Sequence, residues 1–147
     1  MIYCNIFVKG LTIEIEMEII NMRKNDNWIQ KTFRIRPEAI SLYMYLEYYI
    51  DKTYDIPAYR AFDEIIEYSI SHIAGNNIDF VVSEFNSKRS VKGFTISKKN
   101  LDLLKKFFSL NKGVKKGQII EIMIALYAAK HLSEEELSKL KTYMVIR

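Results

Sequence analysis

Residues 92–132 read KGFTISKKNLDLLKKFFSLNKGVKKGQIIEIMIALYAAKHL. In GFTIS, Phe94 and Ile96 alternate with Gly93, Thr95 and Ser97, the period of a strand with one covered face. Ser97 is a suitable N-cap for a helix beginning at Lys98. Leu101, Leu104, Phe107 and Phe108 then recur at helical spacing, and Gly113 interrupts them. A second, more apolar helix-like run starts near Lys115 and carries Ile119, Ile120, Met123, Ile124 and Tyr127. The order is strand, helix, turn, helix.

The same order occurs once before, in residues 31–75. Phe33 and Ile35 alternate with Thr32, Arg34 and Arg36, and Pro37 suits the first turn of a helix. Ile40, Tyr43, Leu46, Tyr49 and Ile50 form its stripe, and residues 51–55 are read as the break. Pro57 opens a second helix with Phe62, Ile65, Ile66, Ser69, Ile70 and Ile73 on one face, ended by Gly75. Phe33 matches Phe94, Ile35 Ile96, Ile40 Leu101, Tyr43 Leu104 and Leu46 Phe107, all at an offset of 61. After the break the offset is 58, with Ile56 matching Val114, Phe62 Ile120, Ile65 Met123 and Ile66 Ile124. Two copies at a fixed spacing predict an internal repeat.

Three segments surround the copies. In residues 1–30, the alternation of Ile2, Cys4, Ile6 and Val8, then of Ile13, Ile15, Met17 and Ile19, predicts an N-terminal β-hairpin bent at Gly10. Residues 76–91 are a connector with room for a strand near 78–85. Residues 133–147 are a tail in which Ser133 and Glu136 form a capping-box pair, so a short third helix is expected.

Composition narrows the function classes. The 147 residues make one ordinary domain or two small units folded together, and 49% hydrophobic residues suffice for a core. No run approaches the ~18 apolar residues of a membrane span, and the N-terminus has no basic leader or small-residue cleavage site. With Cys4 as the single cysteine, a reducing, intracellular (cytoplasmic) setting is expected. Charge is divided along the chain: residues 1–83 hold 8 basic and 12 acidic side chains, residues 84–130 hold 11 and 3. A basic half joined to an acidic half points to one face that meets a polyanion.

Several signals carry no chemistry. His72 and His131 belong to no Cys/His cluster of zinc spacing. Asp63, Glu64 and the run from Glu134 to Glu136 are read as solvated helix faces or caps. The tyrosines between Tyr43 and Tyr49 fall at core spacing, and no phosphate-binding glycine loop or nucleophile elbow occurs. No enzyme activity, cofactor, metal, membrane or small-molecule substrate is expected.

Strand, helix, short turn and helix in about 40 residues resembles the ribbon-helix-helix (Arc/MetJ/CopG-like) family of DNA-binding proteins. The closer match is GFTISKKNLDLLKKFF with NKGVKKGQIIEIMIALY; the first copy fits with a longer turn. The resemblance implies a mainly α fold with short β: a tandem ribbon-helix-helix whose strands 31–36 and 92–97 pair as an antiparallel ribbon, over four helices, as an intramolecular pseudo-dimer. A lone copy would leave its strand and apolar faces unpaired. By position, the family's base readers fall on Thr32, Arg34, Arg36, Gly93, Thr95 and Ser97. Its phosphate clamp, at the N-terminus of the second helix, falls on Lys115, Lys116, Gly117 and Gln118. The first-copy equivalents are Ala58, Tyr59 and Arg60 beside Pro57, which donates no N–H.

The implied function is that of a sequence-specific regulator of transcription, a repressor by promoter occupancy, that binds double-stranded DNA. Tandem copies resemble small regulators of viruses and plasmids, including archaeal ones. Two alternatives stand beside it. One is an accessory DNA-binding protein of a transfer origin or partition site. The other is a DNA-binding second copy with an acidic first copy as a protein-interaction module, since residues 31–75 hold 5 basic and 7 acidic side chains and residues 92–132 hold 9 and 2. Further self-association is open to the hairpin and the tail.

Overall fold

A computed structural model describes residues 2–6, 27–73, 78–82, 88–139 and 144–146. The chain is mainly helical with short strands. Strand β1 spans Ile2–Ile6, β2 Trp28–Ile35, β3 Ile78–Val82, β4 Ser90–Ser97 and β5 Met144–Ile146. Helix α1 spans Pro37–Tyr54, α2 Ala61–Ile73, α3 Lys98–Leu110, α4 Lys116–His131 and α5 Glu134–Lys139, with a 3-10 turn at Ala58–Arg60 before α2.

Strands β2 and β4 form a two-stranded antiparallel sheet. Each is eight residues long, two or three longer at its N-terminal end than the alternation predicted. The register pairs Thr32 with Gly93, Phe33 with Lys92 and Lys31 with Phe94. The 61-residue offset relates Phe33 to Phe94 and Lys31 to Lys92. Exchanging the copies therefore maps this ladder onto itself, with the Thr32–Gly93 pair on the axis. Phe94 and Ile96 from one strand and Ile35 from the other are buried, and Phe33 is half-buried. The rings of Phe62 and Phe94 stack at 4.1 Å, and Phe33 meets Phe62, Phe94 and Phe108 at 6.0–6.2 Å. Such ring contacts add about 0.5–1.5 kcal/mol per pair to the area buried.

The helices pack both within and between copies, and α1 also packs on α2 of its own copy. Helix α4 packs on β2 and α1, α2 packs on β4 and α3, and α2 and α4 pack on each other. Stripe residues matched by the repeat take equivalent places: Tyr43 and Leu104, Leu46 and Phe107, Phe62 and Ile120, Ile65 and Met123 are all buried. Helix α4 is covered on every side between Ile119 and Ala128. Besides the expected stripe it buries Glu121, Ile122, Ala125, Leu126 and Ala128, the pattern of a central helix.

Helix α1 continues through residues 51–54, where a break was expected. It stops at Asp55 in the left-handed conformation (φ 57°), a region that Asp tolerates better than most side chains. Ser133 and Glu136 form the reciprocal capping box expected before α5.

Strand β1 pairs with β3, and β3 with β5, in a second sheet of order β1-β3-β5. N-terminal extension, connector and tail, read separately from sequence, thus share one sheet. The second strand of the expected N-terminal hairpin lies outside the described residues. Among the described residues no helix is long and apolar enough to cross a membrane.

Candidate nucleic-acid interface

The face of the ribbon turned away from the core carries Gln30, Thr32 and Arg34 from β2 and Val91, Gly93 and Thr95 from β4. All are exposed except Thr95, which is half-buried. They stand opposite one another as Gln30–Thr95, Thr32–Gly93 and Arg34–Val91. The Gln30 amide donates to Thr95 Oγ1 at 2.6 Å. Thr32, Arg34, Gly93 and Thr95 were expected here; Gln30 and Val91 were not.

Ser97 is withdrawn from this face, and Arg36 lies just past the end of β2. Each follows the last inward residue of its strand and is the N-cap of the next helix. Ser97 is 1% exposed, and its hydroxyl accepts the N–H of Asn100 at 3.2 Å, so its side chain is spent on capping α3. The Ser97 N–H donates to Asp63 Oδ1 at 2.7 Å, and the Arg36 N–H donates to Glu121 Oε2 at 2.7 Å. The four residues obey the repeat: Ser97 follows Arg36 by 61, and Glu121 follows Asp63 by 58. Each copy's second helix thus holds the start of the other copy's first helix. Asp63, read from sequence as a solvated carboxylate, is buried for this purpose. Burial raises its pKa, against the lowering effect of its bonds to Ser97 and Asn100.

Glu121, 0% exposed, also receives Arg89 through two bonds, at 3.2 and 3.1 Å. Arg89 marks the rim of an open groove of about 570 Å³ lined by Arg34, Arg36, Lys88, Arg89, Lys115 and Gly117. Five cationic side chains line it. Nε and Nη1 of Arg36 are buried and find no hydrogen-bond partner among the described residues. A second groove of about 570 Å³ continues past Lys115 along Lys105, Lys112 and Lys116 beside Phe108. The Lys116 ammonium lies 5.6 Å from the Phe108 ring.

Helix α4 begins in this basic region. Lys115 is its N-cap, with extended backbone and no side-chain capping bond. Lys115 and Lys116 are exposed, Gly117 and Gln118 half-buried. The role expected for Gly117 needs correction. A Cβ there would stand 1.9 Å from the carbonyl oxygen of Arg34, so the space is taken by the ribbon's own backbone, not left for a phosphate. The glycine lets α4 abut β2.

The first-copy counterpart has different chemistry. Ala58, Tyr59 and Arg60 are exposed on the 3-10 turn after Pro57. Tyr59 meets Trp28 edge-on at 5.4 Å, and the Arg60 guanidinium sits 5.8 Å over the Trp28 ring, a cation–π contact. Along α2, Glu64, Glu67, Tyr68, Ser71 and His72 line a recess of about 340 Å³. Burial pushes the Glu67 carboxyl up to about 7.

His131 stacks on Tyr127 at 3.8 Å, and His72 stacks on Tyr68 at 5.7 Å. Compared with protein-family models, curated proteins and solved structures, the chain matches none.

Proposed function

We propose that this chain is a sequence-specific double-stranded-DNA-binding regulator of transcription, built from two ribbon-helix-helix copies that close on each other. The observation that carries the reading is the ribbon: its apolar side is sunk in the core, and its polar side, with Arg34 and Thr32, is exposed. A two-stranded ribbon matches the width of the major groove, where each base pair has its own donor and acceptor pattern. Arg34 suits a guanine edge, and Gln30 suits an adenine edge. The cations around Arg36, Lys88, Lys115 and Lys116 lie beside the ribbon, where a duplex seated on it presents its phosphates. Phosphate contacts give affinity that falls with salt, and base contacts give preference. Occupying a promoter in this way would repress it.

The experiment is binding of the purified protein to duplexes selected from a random-sequence pool, across a salt series. Preference for the selected duplex with a steep salt dependence supports the reading; no binding at low ionic strength refutes it.

One observation favours a second role for the first copy. Along α2 lies the Glu64–Glu67 recess, whose carboxyl groups are unsuited to phosphate and could take a basic protein segment.

A further inference from the structure

We infer that the duplex read by this ribbon has no dyad symmetry, because different side chains read its two halves; the inference rests on the proposed DNA-binding function. A dimer of identical chains presents each reader twice, so it selects a palindrome. Here the axis through the Thr32–Gly93 pair relates Gln30 to Val91, Thr32 to Gly93 and Arg34 to Thr95. None of the three pairs is chemically alike. On β2, a carboxamide, a hydroxyl and a guanidinium can all bond to base edges, two of them bidentately. On β4, Val91 offers only a methyl contact, Gly93 offers no side chain, and Thr95 offers one hydroxyl, which accepts Gln30 and keeps its own hydrogen to donate.

The flanks differ in the same sense. Arg36, Lys88, Arg89 and Lys115 around Arg34 correspond under the repeat to Ser97, Asn27, Trp28 and Pro57 around Thr95. Four cations answer to no cation. On that side Arg60 packs on Trp28, and Lys98, whose N–H donates to the Asn27 carbonyl, is exposed just past Ser97. One half of the duplex therefore meets Arg34 and the basic groove, and the other half meets Gln30 and Thr95.

The test is selection of duplexes from a random pool by two proteins, the wild type and the triple variant Val91→Gln, Gly93→Thr, Thr95→Arg. That variant copies the β2 readers onto β4, and Gly93 has open space for a side chain. The wild type is expected to enrich a non-palindromic sequence whose halves differ. The variant, with the same three readers on both strands, is expected to enrich a more palindromic one. In the wild-type site, Arg34→Ala should lower affinity roughly tenfold or more and erase preference at the base it reads, in its own half alone. A palindromic wild-type consensus, or an Arg34→Ala effect spread equally over both halves, overturns the inference and leaves DNA recognition standing. No enrichment over a protein-free control overturns both.

Discussion

The buried carboxylate of Glu121 accepts the backbone N–H of Arg36 at 2.7 Å, across 85 residues of sequence. It joins the second helix of one copy to the start of the first helix of the other, and Asp63 does the same for Ser97. Glu121 also holds Arg89 just before β4. One side chain thus ties down the C-terminal end of one ribbon strand and the approach to the other. Glu121→Ala strands Arg89 and the Arg36 N–H, so it should cost about 3–5 kcal/mol in urea unfolding, the range for breaking a buried pair from one side. Asp63→Ala, with no ion pair to break, should cost about 1–3 kcal/mol. Equal and small losses for both would mean that these carboxylates do not hold the two copies together.

Gly117 makes a second prediction. A methyl group there collides with the Arg34 carbonyl, which is backbone and cannot swing away. Gly117→Ala should destabilise the chain by about 1–3 kcal/mol as α4 is forced off β2. Gly113→Ala meets open space and serves as the control, within about 0.5 kcal/mol of wild type apart from any turn preference. Chemical denaturation of both proteins separates the two cases.

The acidic recess gives a pH dependence with a definite sign. Burial, opposed by the Asn100 amide and reinforced by Asp63 and Glu64, lifts Glu67 from the usual 4.5 to about 7. Between those values the folded chain holds a proton that the unfolded chain has lost. The stability contributed by this group is full below pH 4.5 and is lost as pH rises through 7. Glu67→Gln should flatten the fall in melting temperature over that interval and melt above wild type at pH 8. Asp63 and Glu64 are shifted in the same direction, so part of the slope remains. A wild-type slope unchanged by Glu67→Gln would contradict the assignment.

Lys116 is exposed at the start of α4, and in the proposed function it meets backbone phosphate. Lys116→Ala should weaken binding to every duplex alike and reduce the salt slope by about one unit, without changing sequence preference. A change in which duplex is preferred would show that Lys116 reads bases instead.

Much of the ribbon and the helix order was legible in the chain, because Phe33, Ile35, Phe94 and Ile96 alternate and the stripes beyond them keep helical spacing. The fixed offset left the register open, since a pairing symmetric in the two copies can be centred anywhere along the strands; the structure centres it on Thr32 and Gly93. The ends of the ribbon were hidden: Trp28 corresponds to Arg89 and Gln30 to Val91, so the copies look unrelated there. Asp63 and Glu121 were passed over because single carboxylates on helices are usually solvated. Their signal was the shared 58-residue offset, visible once polar positions are matched as well as apolar ones. Arg36 and Ser97 continued the alternation and were counted as ribbon residues, but both are N-caps: capping takes the Ser97 side chain, while that of Arg36 makes no capping bond and lines the groove with Arg34. The β1-β3-β5 sheet joins segments tens of residues apart, and local periodicity carries no trace of which strands will pair.

The most direct test of the account is to remove the outward side chains of β2 with Gln30→Ala, Thr32→Ala and Arg34→Ala together, none of which touches the core. Affinities for a selected duplex and for an unrelated duplex of the same length are then measured by fluorescence anisotropy at low and moderate salt. The account predicts that the variant keeps its fold and its salt-dependent affinity but binds both duplexes equally. A variant that still discriminates as well as wild type, or a wild-type protein that binds neither duplex at low salt, would contradict it.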